Sequence, residues 1–333
     1  MRLTYLDLTT TDPRVNLATE QFVFDKLPRD RAYFMLWQND NAIIIGKHQN
    51  TLAEIDLPYV TEHGIRVVRR LSGGGAVYHD LGNLNFTFIM DSGDTERLNF
   101  ALFCQPVIQV LKQFGVSAQV NGRNDMTICG QKFSGNAQYV REGRVMHHGT
   151  ILFDSDLAAV GRALRVDPDK IQAKGVQSVR SRVTNIREHL SYEVTLPQFR
   201  RALLEHVCSA AAGAREYVLG PEDQAVIRQF RRERYDTWEW NFGQSPPCTL
   251  MRRARVEGCG LVEIYLLVMH GKIAQMSFRG DFFSAEEPEV LERYFLGRRP
   301  EREEYRQALE GVQVSRYFNG LDNERFLKIL CDG

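Results

Sequence analysis

The sequence predicts an α+β fold with a mixed, mostly antiparallel sheet flanked by helices, followed by a small α+β C-terminal domain. Segments with strand alternation and segments with helical spacing follow one another without the regular alternation of βαβ units. The 333 residues are enough for one large domain and a smaller one. The stretch 243–247 (GQSPP) is typical of a linker. We therefore expect one domain over residues 1–245 and an accessory domain over residues 246–333.

The first domain is expected to begin with a helix. Asp12 can cap that helix and Pro13 fits its first turn, so we expect it to run to about Leu27. A second helix is predicted where apolar side chains recur at helical spacing, ending at Gly115. Strands are predicted over residues 33–36, 42–45, 65–71, 85–90, 126–128, 131–138 and 144–153. Of these, the first two flank a polar turn at 38–41, and a hairpin turns at 129–130.

The rest of the chain is predicted to be less regular at first. Residues 165–190 show little periodicity, and helices follow over about 197–212 and 221–234. Beyond the linker we expect a hairpin over 253–277, turning near Gly271, and several short helices.

Composition excludes several classes of protein. Lys plus Arg and Asp plus Glu are both 42, so the basic excess of a nucleic-acid-binding protein is absent. No apolar run approaches the roughly 20 residues that span a bilayer, and the start lacks the pattern of a signal peptide. The six cysteines have no CxxC spacing, which is typical of reduced thiols. We expect a cytoplasmic protein, with a monomer as the default.

The first stretch that can carry chemistry is RRLSGGGAVYHD (69–80). A strand delivers Arg69 and Arg70 to three consecutive glycines, whose N–H groups can converge on an anion. A glycine triplet alone is more typical of a plain turn. The flanking arginines and Tyr78-His79-Asp80 favour an anion site, and the loop lacks the Gly-Lys-Ser/Thr ending of a P-loop.

The second stretch is NGRND (121–125) followed by GQKFSGNAQ (130–138). Strand alternation predicts Lys132, Ser134 and Asn136 on one face, with Phe133 in the core. A lysine facing a cleft can stabilise charge that develops on phosphate or carboxylate, although most hairpin lysines are simply solvated.

Two further stretches are more ambiguous. His147 and His148 face opposite sides of a strand and cannot both bind one metal, so we expect hydrogen-bonded histidines and no metal site. The basic segment 174–185 (KGVQSVRSRVTN) fits a loop that closes over a nucleotide, and fits a flexible surface loop equally well.

Together these stretches resemble the lipoate–protein ligase A family. The resemblance rests on RRLSGGGAVYHDLGN (69–83), GRNDM (122–126), QKFSGNAQ (131–138), HHGTILF (147–153), KGVQSVRSRVTN (174–185) and WEWNFGQ (238–244), in the family's order. The tail is similar to the accessory domain of the long family members. The resemblance implies the fold shared by biotin and lipoate ligases.

The resemblance also implies a two-step reaction. Lipoate attacks the α-phosphate of ATP, with Mg²⁺ accompanying the nucleotide, and gives lipoyl-AMP; a lysine of an acceptor protein then takes the lipoyl group. Expected acceptors are 2-oxoacid dehydrogenase acyltransferase subunits and the glycine-cleavage H protein.

The resemblance assigns residues to each substrate. Lys132 is the catalytic residue and contacts both substrates. The residues expected at ATP or the adenylate are Arg70, Ser72, Gly73, Gly74, Gly75, Ala76, Val77, Tyr78, His79, Asp125, Arg180 and Arg182. The residues expected at lipoate are Leu17, Trp37, Ser134, His148 and Thr150. Trp37 fits ordinary core equally well.

Three other functions remain open at this stage. A cysteine-dependent octanoyl- or lipoyl-transferase needs a reactive thiol, and Cys129 is the only cysteine near these motifs. A transferase that uses lipoyl-AMP without making it is hard to separate by sequence. A lipoate carrier without catalysis would have no use for Arg70 and Lys132.

Overall fold

The computed structural model describes residues 2–91, 99–122, 124–164, 183–211, 213–243, 250–269, 272–300 and 302–332. Its strands are β1 Leu3–Asp7, β2 Ala32–Trp37, β3 Ala42–Ile45, β4 Arg66–Arg69, β5 Val77–His79, β6 Asn83–Asp91, β7 Ala118–Asn121, β8 Asp125–Ile128, β9 Gln131–Arg141, β10 Arg144–Leu152, β11 Arg215–Glu216, β12 Leu250–Val256, β13 Gly260–Met269 and β14 Lys272–Gly280.

The α-helices are α1 Pro13–Lys26, α2 Thr51–Glu54, α3 Leu57–Glu62, α4 Phe100–Gln113, α5 Leu157–Ala163, α6 Leu196–Ser209, α7 Pro221–Phe230, α8 Trp238–Asn241, α9 Pro288–Glu292, α10 Arg302–Ala308 and α11 Asn323–Asp332. The segments Ile186–His189 and Val314–Arg316 are 3₁₀ turns, and Arg231–Tyr235 is a π-helical turn that extends α7. Within the described ranges no helix is long and apolar enough to cross a bilayer.

The main sheet contains eight of the described strands, in the order β11-β1-β2-β6-β10-β9-β8-β7. The pairs β1/β11 and β1/β2 are parallel, and the other pairs are antiparallel. The predicted fold class, a mixed and mostly antiparallel sheet flanked by helices, is therefore confirmed.

Alternating side chains of β2 divide the core of the first domain. Phe34 joins the layer formed with α4 and α6, which includes Val107 and Phe199. Met35 points to the opposite face and packs with α1, including Leu17. The sheet is thus covered on both faces, as alternation of apolar side chains on a buried strand requires.

A second sheet, in the order β4-β3-β5, lies on the α1 side. The two strands predicted around the polar turn 38–41 both exist, but they do not pair with each other. β2 joins the main sheet and β3 starts the smaller one, so the turn carries the chain between two sheets.

The C-terminal part contains the antiparallel sheet β12-β13-β14 with α9, α10 and α11 packed on it. We predicted a single hairpin over 253–277, but the segment expected to form its first strand forms two strands. A tight turn, closed by the Cys259 N–H donating to the Val256 carbonyl at 3.1 Å, divides that segment into β12 and β13. The predicted turn at Gly271 and the predicted linker at 244–247 lie outside the described residues, so the boundary near 246 stays a prediction.

Candidate functional site

A cleft of about 580 Å³ opens between α1, the smaller sheet and the edge of β9 and β10. Its lining is Leu17, Trp37, Ile44, Arg70, Gly74, Gly75, Ala76, Val77, His79, Asn85, Asn124, Lys132, Gly135, Asn136, Ala137, His148, Gly149 and Thr150. Eleven of the predicted site residues are among them, which brings together segments that the chain separates by more than 100 positions.

Arg70 forms part of the cleft wall and organises the glycine loop. Its Nε donates to Ser72 Oγ at 3.0 Å, and its Nη2 donates to the carbonyls of Gly73 and Gly75 at 2.7 and 2.8 Å. Because a peptide unit is planar, the N–H of Ala76 points away from Arg70, opposite the Gly75 carbonyl. Burial lowers the pKa of Arg70 to about 10, which still leaves it charged at neutral pH.

The glycine triplet also has a role that the sequence analysis missed. The Gly74 N–H donates to the carbonyl of Phe282, in the segment that follows β14, at 3.0 Å. A Cβ on Gly74, whose φ is +88°, would lie 2.8 Å from the Phe283 ring. Glycine is therefore required for close approach of the C-terminal domain as well as for access to an anion.

Further contacts hold that C-terminal segment against the first domain. The ring of His48 stacks on Phe282 with centroids 4.8 Å apart, and its carbonyl accepts the Gly280 N–H at 2.9 Å. Lys47 forms an ion pair with Glu287. Burial lowers the pKa of His48 well below its usual value, so this stacked ring is neutral at physiological pH.

Lys132 reaches the cleft because strand β9 contains a β-bulge. The register of β8 and β9 shifts between Thr127, which faces Lys132, and Met126, which faces Ser134. A Cβ on Gly135 would lie 2.9 Å from Lys132 Nζ and 3.9 Å from Thr150 Oγ1. The amine therefore occupies space that only a glycine at 135 leaves open, and it is paired there with Asp125 Oδ1 at 2.7 Å.

The bulge corrects one prediction. Lys132 lies on the face of Gly135 and Thr150, whereas the Ser134 hydroxyl is buried and accepts from Asn136 Nδ2 at 3.2 Å on the other face. The Asn136 amide in turn contacts His147, whose ring stacks on Phe103 of α4. Ser134 does not line the cleft, because the extra residue in β9 breaks the alternation that predicted it.

His79 lies in the cleft wall and has one ring nitrogen without a partner among the described residues. Asn16 Nδ2 donates to Asn39 Oδ1 at 2.9 Å, so the Asn39 amide nitrogen faces His79 Nδ1 at 3.0 Å and donates to it. The ring proton therefore resides on Nε2. That nitrogen is buried and, among the described residues, has no hydrogen-bond partner. A buried unsatisfied donor in a cleft wall is a position where a substrate oxygen can bind.

The same histidine gives a pH prediction. Burial, with Arg70 and His148 adding to it, lowers the pKa of His79 from 6.5 to about 3. The unfolded chain thus binds the proton more tightly, and stability is lost as pH falls below about 6.5. Each further decrease of one pH unit lowers the free energy of unfolding by about 1.4 kcal/mol until the folded-state pKa is reached.

Urea unfolding checks this prediction at pH 6 and pH 5. Between these pH values, we expect the free energy of unfolding of His79→Gln to fall by about 1 kcal/mol less than that of the wild type. The other buried histidines are common to both proteins, so the comparison isolates His79. Equal losses in the two proteins would contradict the prediction.

Part of the cleft lining is apolar, and it comprises Leu17, Trp37, Ile44 and Val77. Trp37 is only 3% exposed and packs in the core, and it also borders the cleft, so its contact with lipoate stays a prediction.

Besides Ser134, four of the predicted residues that the structure describes do not line the cleft. Asp125 pairs with the Lys132 amine. Ser72 is buried beneath it and contacts His148 Nε2 at 2.6 Å. Gly73 lies against the Phe282 carbonyl. The Tyr78 hydroxyl donates to Asn41 at 3.1 Å, and burial raises the pKa of Tyr78 to about 12.

The segment 174–185, predicted to close over a nucleotide, falls largely outside the described residues, and Arg180 and Arg182 lie there. Its described end pairs with β9. Val183 bridges to Lys132, and the Thr184 N–H donates to the Lys132 carbonyl at 2.9 Å. The described end of the segment is therefore fixed to the backbone of Lys132.

Arg69 connects the residues that follow β3 with α8, a role that was not predicted. Its guanidinium donates to the carbonyls of Gly46, Gln49 and Trp240 at 2.9, 2.7 and 2.8 Å. Trp240 Nε1 donates back to the Arg69 carbonyl at 2.8 Å. The WEWNFGQ segment thus fixes the strand that delivers Arg70, which explains its presence among the matching motifs.

Both parts of the chain match known protein families. Residues 12–208 match the family model described as Lipoyl protein ligase A/B catalytic domain, and residues 245–330 match Bacterial lipoate protein ligase C-terminus. The chain is 45% identical to Lipoate-protein ligase LplJ of Bacillus subtilis, over 96% of this chain and 97% of that protein.

Two solved structures extend the comparison. One is a lipoate-protein ligase A bound with ATP (28% identity, TM-score 0.63), matched over 73% of this chain and 99% of that one. The other is a bi-partite lipoate protein ligase of Thermoplasma acidophilum, studied with its E2 lipoyl domain (28% identity, TM-score 0.62), matched over 75% and 98%. The chain therefore belongs to the lipoate–protein ligase A family and contains both the catalytic and the C-terminal domain of its bacterial members.

Proposed function

We propose that this protein is an ATP-dependent lipoate–protein ligase. The observation that supports it best is one cleft lined by Arg70 and the glycine loop, by Lys132 and by apolar side chains. We assign a phosphate end to the glycine loop and Arg70 and an apolar end to Leu17 and Trp37, with Lys132 between them. The apolar end suits the alkyl chain and dithiolane of lipoate. Arg70, the Ala76 N–H and the His79 donor suit the phosphate of an adenylate.

The first half-reaction joins the two substrates. A lipoate carboxylate oxygen attacks the α-phosphorus of ATP, and the bond from that phosphorus to pyrophosphate breaks. Lys132 stabilises the negative charge on the attacking carboxylate and the phosphate. Mg²⁺, when bound with ATP, would supply charge neutralisation at the phosphates, and Asp125 is the carboxylate that would hold it.

The second half-reaction transfers the lipoyl group. The amine of an acceptor lysine attacks the lipoyl carbonyl carbon, the carbon–oxygen bond to AMP breaks, and the amine releases a proton to solvent. Water would hydrolyse the mixed anhydride, so the cleft must exclude it. We propose that segment 174–185, with Arg180 and Arg182, excludes water; its described end is bonded at Thr184 to the Lys132 carbonyl.

Acceptor proteins are proposed from the family. The T. acidophilum ligase was studied with its E2 lipoyl domain. We therefore propose lipoyl domains of 2-oxoacid dehydrogenase acyltransferase subunits, and the glycine-cleavage H protein, as acceptors. The reaction is proposed to take place in the cytoplasm, with a monomeric enzyme.

The cysteine-dependent alternative finds no support in the described part of the chain. None of its cysteines lines the cleft. Cys129 is exposed at the hairpin tip, and burial raises the pKa of the Cys104 thiol to about 12, opposite to what a nucleophile needs.

Pyrophosphate release tests the proposal. The purified protein should release pyrophosphate from ATP only when lipoate is present, and should then modify a lipoyl domain on its lysine. A protein that transfers lipoate from supplied lipoyl-AMP but releases no pyrophosphate would be a transferase, and the ligase assignment would be wrong.

Arg70→Ala separates the two ends of the cleft. We expect the KM for ATP to rise about 100-fold and lipoate affinity to change much less, because the guanidinium organises the phosphate end. Arg70→Lys keeps the charge without the planar fork, and its KM for ATP should lie between those of the wild type and Arg70→Ala. Arg215→Ala, at an exposed position on β11, is the control. A defect confined to lipoate binding would show that the two ends are reversed.

A further inference from the structure

A chain of buried hydrogen bonds runs beneath the cleft and connects its two ends. Its six members, from the apolar end to the phosphate end, are Trp37, Thr87, Glu20, His148, Ser72 and Arg70. Glu20 stands in the middle of the chain. Its carboxylate comes from the interior of α1, is 1% exposed and does not line the cleft.

The direction of the first arm follows from donor chemistry. The indole nitrogen of Trp37 is a donor only, and it lies 2.9 Å from Thr87 Oγ1. The Thr87 hydroxyl therefore accepts from Trp37 and uses its own proton toward Glu20 Oε1, at 2.5 Å. This arm ends on the carboxylate.

The second arm reaches the same carboxylate from the opposite side. Arg70 Nε is a donor only, so Ser72 Oγ accepts from it at 3.0 Å. The Ser72 hydroxyl then donates to His148 Nε2 at 2.6 Å, which leaves the ring proton on Nδ1. His148 Nδ1 donates to both Glu20 oxygens, at 3.0 and 3.2 Å.

We propose that Glu20 is a positioning residue for the first half-reaction. As the common acceptor of both arms, it fixes the tautomer of His148, and through Ser72 it fixes the orientation of Arg70. A buried carboxylate is costly unless donors surround it, and here Thr87 and His148 supply them. The inference rests on the proposed function, because the phosphate role of Arg70 gives the chain its purpose.

The arrangement resembles a nucleophile, base and acid triad, but its geometry favours positioning. Ser72 is 1% exposed and its oxygen already accepts from Arg70. A nucleophile must reach its substrate, and this hydroxyl lies beneath the cleft wall. Its proton is instead used to connect Arg70 with His148.

Glu20→Gln is the decisive variant. It keeps the size and keeps an oxygen at Oε1 as acceptor for Thr87, but it replaces Oε2, which lies 3.2 Å from His148 Nδ1, with an amide N–H₂. The amide hydrogens repel a proton on Nδ1, so we expect the imidazole to accept at Nδ1 and to carry its proton on Nε2, which reverses the bond to Ser72. The ¹⁵N shifts of the imidazole, assigned with a His148→Gln sample, should change from the Nδ1–H to the Nε2–H tautomer.

Kinetics give the second readout. The KM for ATP in lipoate-dependent pyrophosphate release should rise about tenfold or more in Glu20→Gln, with a smaller change in lipoate affinity. Glu62→Gln, at an exposed position on α3, is the matched control and should resemble the wild type in both readouts. A purely structural role would lower the melting temperature without moving the tautomer or separating ATP from lipoate.

The outcomes distinguish this inference from the proposed function. A wild-type protein without lipoate-dependent pyrophosphate release would overturn the ligase proposal, and the inference that rests on it. An active wild type with an unchanged His148 tautomer and ATP KM in Glu20→Gln would overturn the role of Glu20 alone. Should that variant not fold, Glu20→Asp replaces it. The aspartate keeps the charge and should preserve the Nδ1–H tautomer, whereas an Nε2–H ring there would also overturn the role.

Discussion

Lys132→Ala should reduce lipoate-dependent pyrophosphate release by about a thousandfold or more while leaving the protein folded. The ammonium is the cationic side chain that we place between the two ends of the cleft. Its loss removes charge stabilisation at the moment the carboxylate attacks phosphorus. Stability should change little, because the amine is more than one-third exposed and its pairing with Asp125 is screened by solvent.

Two comparisons make the Lys132 prediction sharp. Lys112→Ala, on the exposed side of α4, should behave as the wild type. Gly135→Ala moves the amine without deleting it, since the new Cβ would stand 2.9 Å from Nζ. We expect this variant to fold and to lose much of its activity. Near-normal turnover of Lys132→Ala would refute the catalytic role.

Arg69→Ala should lower the free energy of unfolding by about 3–5 kcal/mol. Its guanidinium is fully buried and bonds to backbone carbonyls of the loop after β3 and of α8, which are far apart in the chain. Burial lowers the pKa of Arg69 to about 9, so the group remains charged at neutral pH. Alanine would leave several buried acceptors without donors, and each such group costs about 1–3 kcal/mol.

Urea unfolding measures the effect of Arg69→Ala. Arg215→Ala, at an exposed position, should stay within about 0.5 kcal/mol of the wild type. Arg69→Lys keeps the charge but cannot reach all the acceptors, so it should recover only part of the loss. A change below about 1 kcal/mol in Arg69→Ala would mean that water or a shifted loop satisfies these carbonyls.

The cleft was largely predictable because its main residues occur in linear motifs. Arg70, His79 and Lys132 each lie on a strand or directly after one, and their motifs follow one another along the chain in the family's order. What the motifs lack is the distant partner of each residue. Glu20 meets Thr87 and His148 across 67 and 128 positions, and only the assembled sheet brings them together.

The misplacement of Ser134 has a different cause. Strand alternation predicts which face each side chain occupies only as long as no extra residue is inserted. The bulge in β9 inserts such a residue, and no residue type in the neighbouring sequence indicates it. The glycine triplet shows a related limit. Its composition indicated anion access, whereas the contact with Phe282 depends on a domain that the sequence places 200 residues later.

The bond between Arg69 and Trp240 has a consequence for synthesis on the ribosome. The two residues are 171 positions apart, so the strand that carries the arginine emerges long before the Trp240 carbonyl. At about 5–20 residues per second, the nascent chain waits roughly 10–35 s with a guanidinium that has its Gly46 and Gln49 acceptors but not yet the Trp240 carbonyl. A stalled or truncated message that stops short of residue 240 would therefore yield a chain that has the catalytic motifs but lacks the Trp240 carbonyl that binds Arg69.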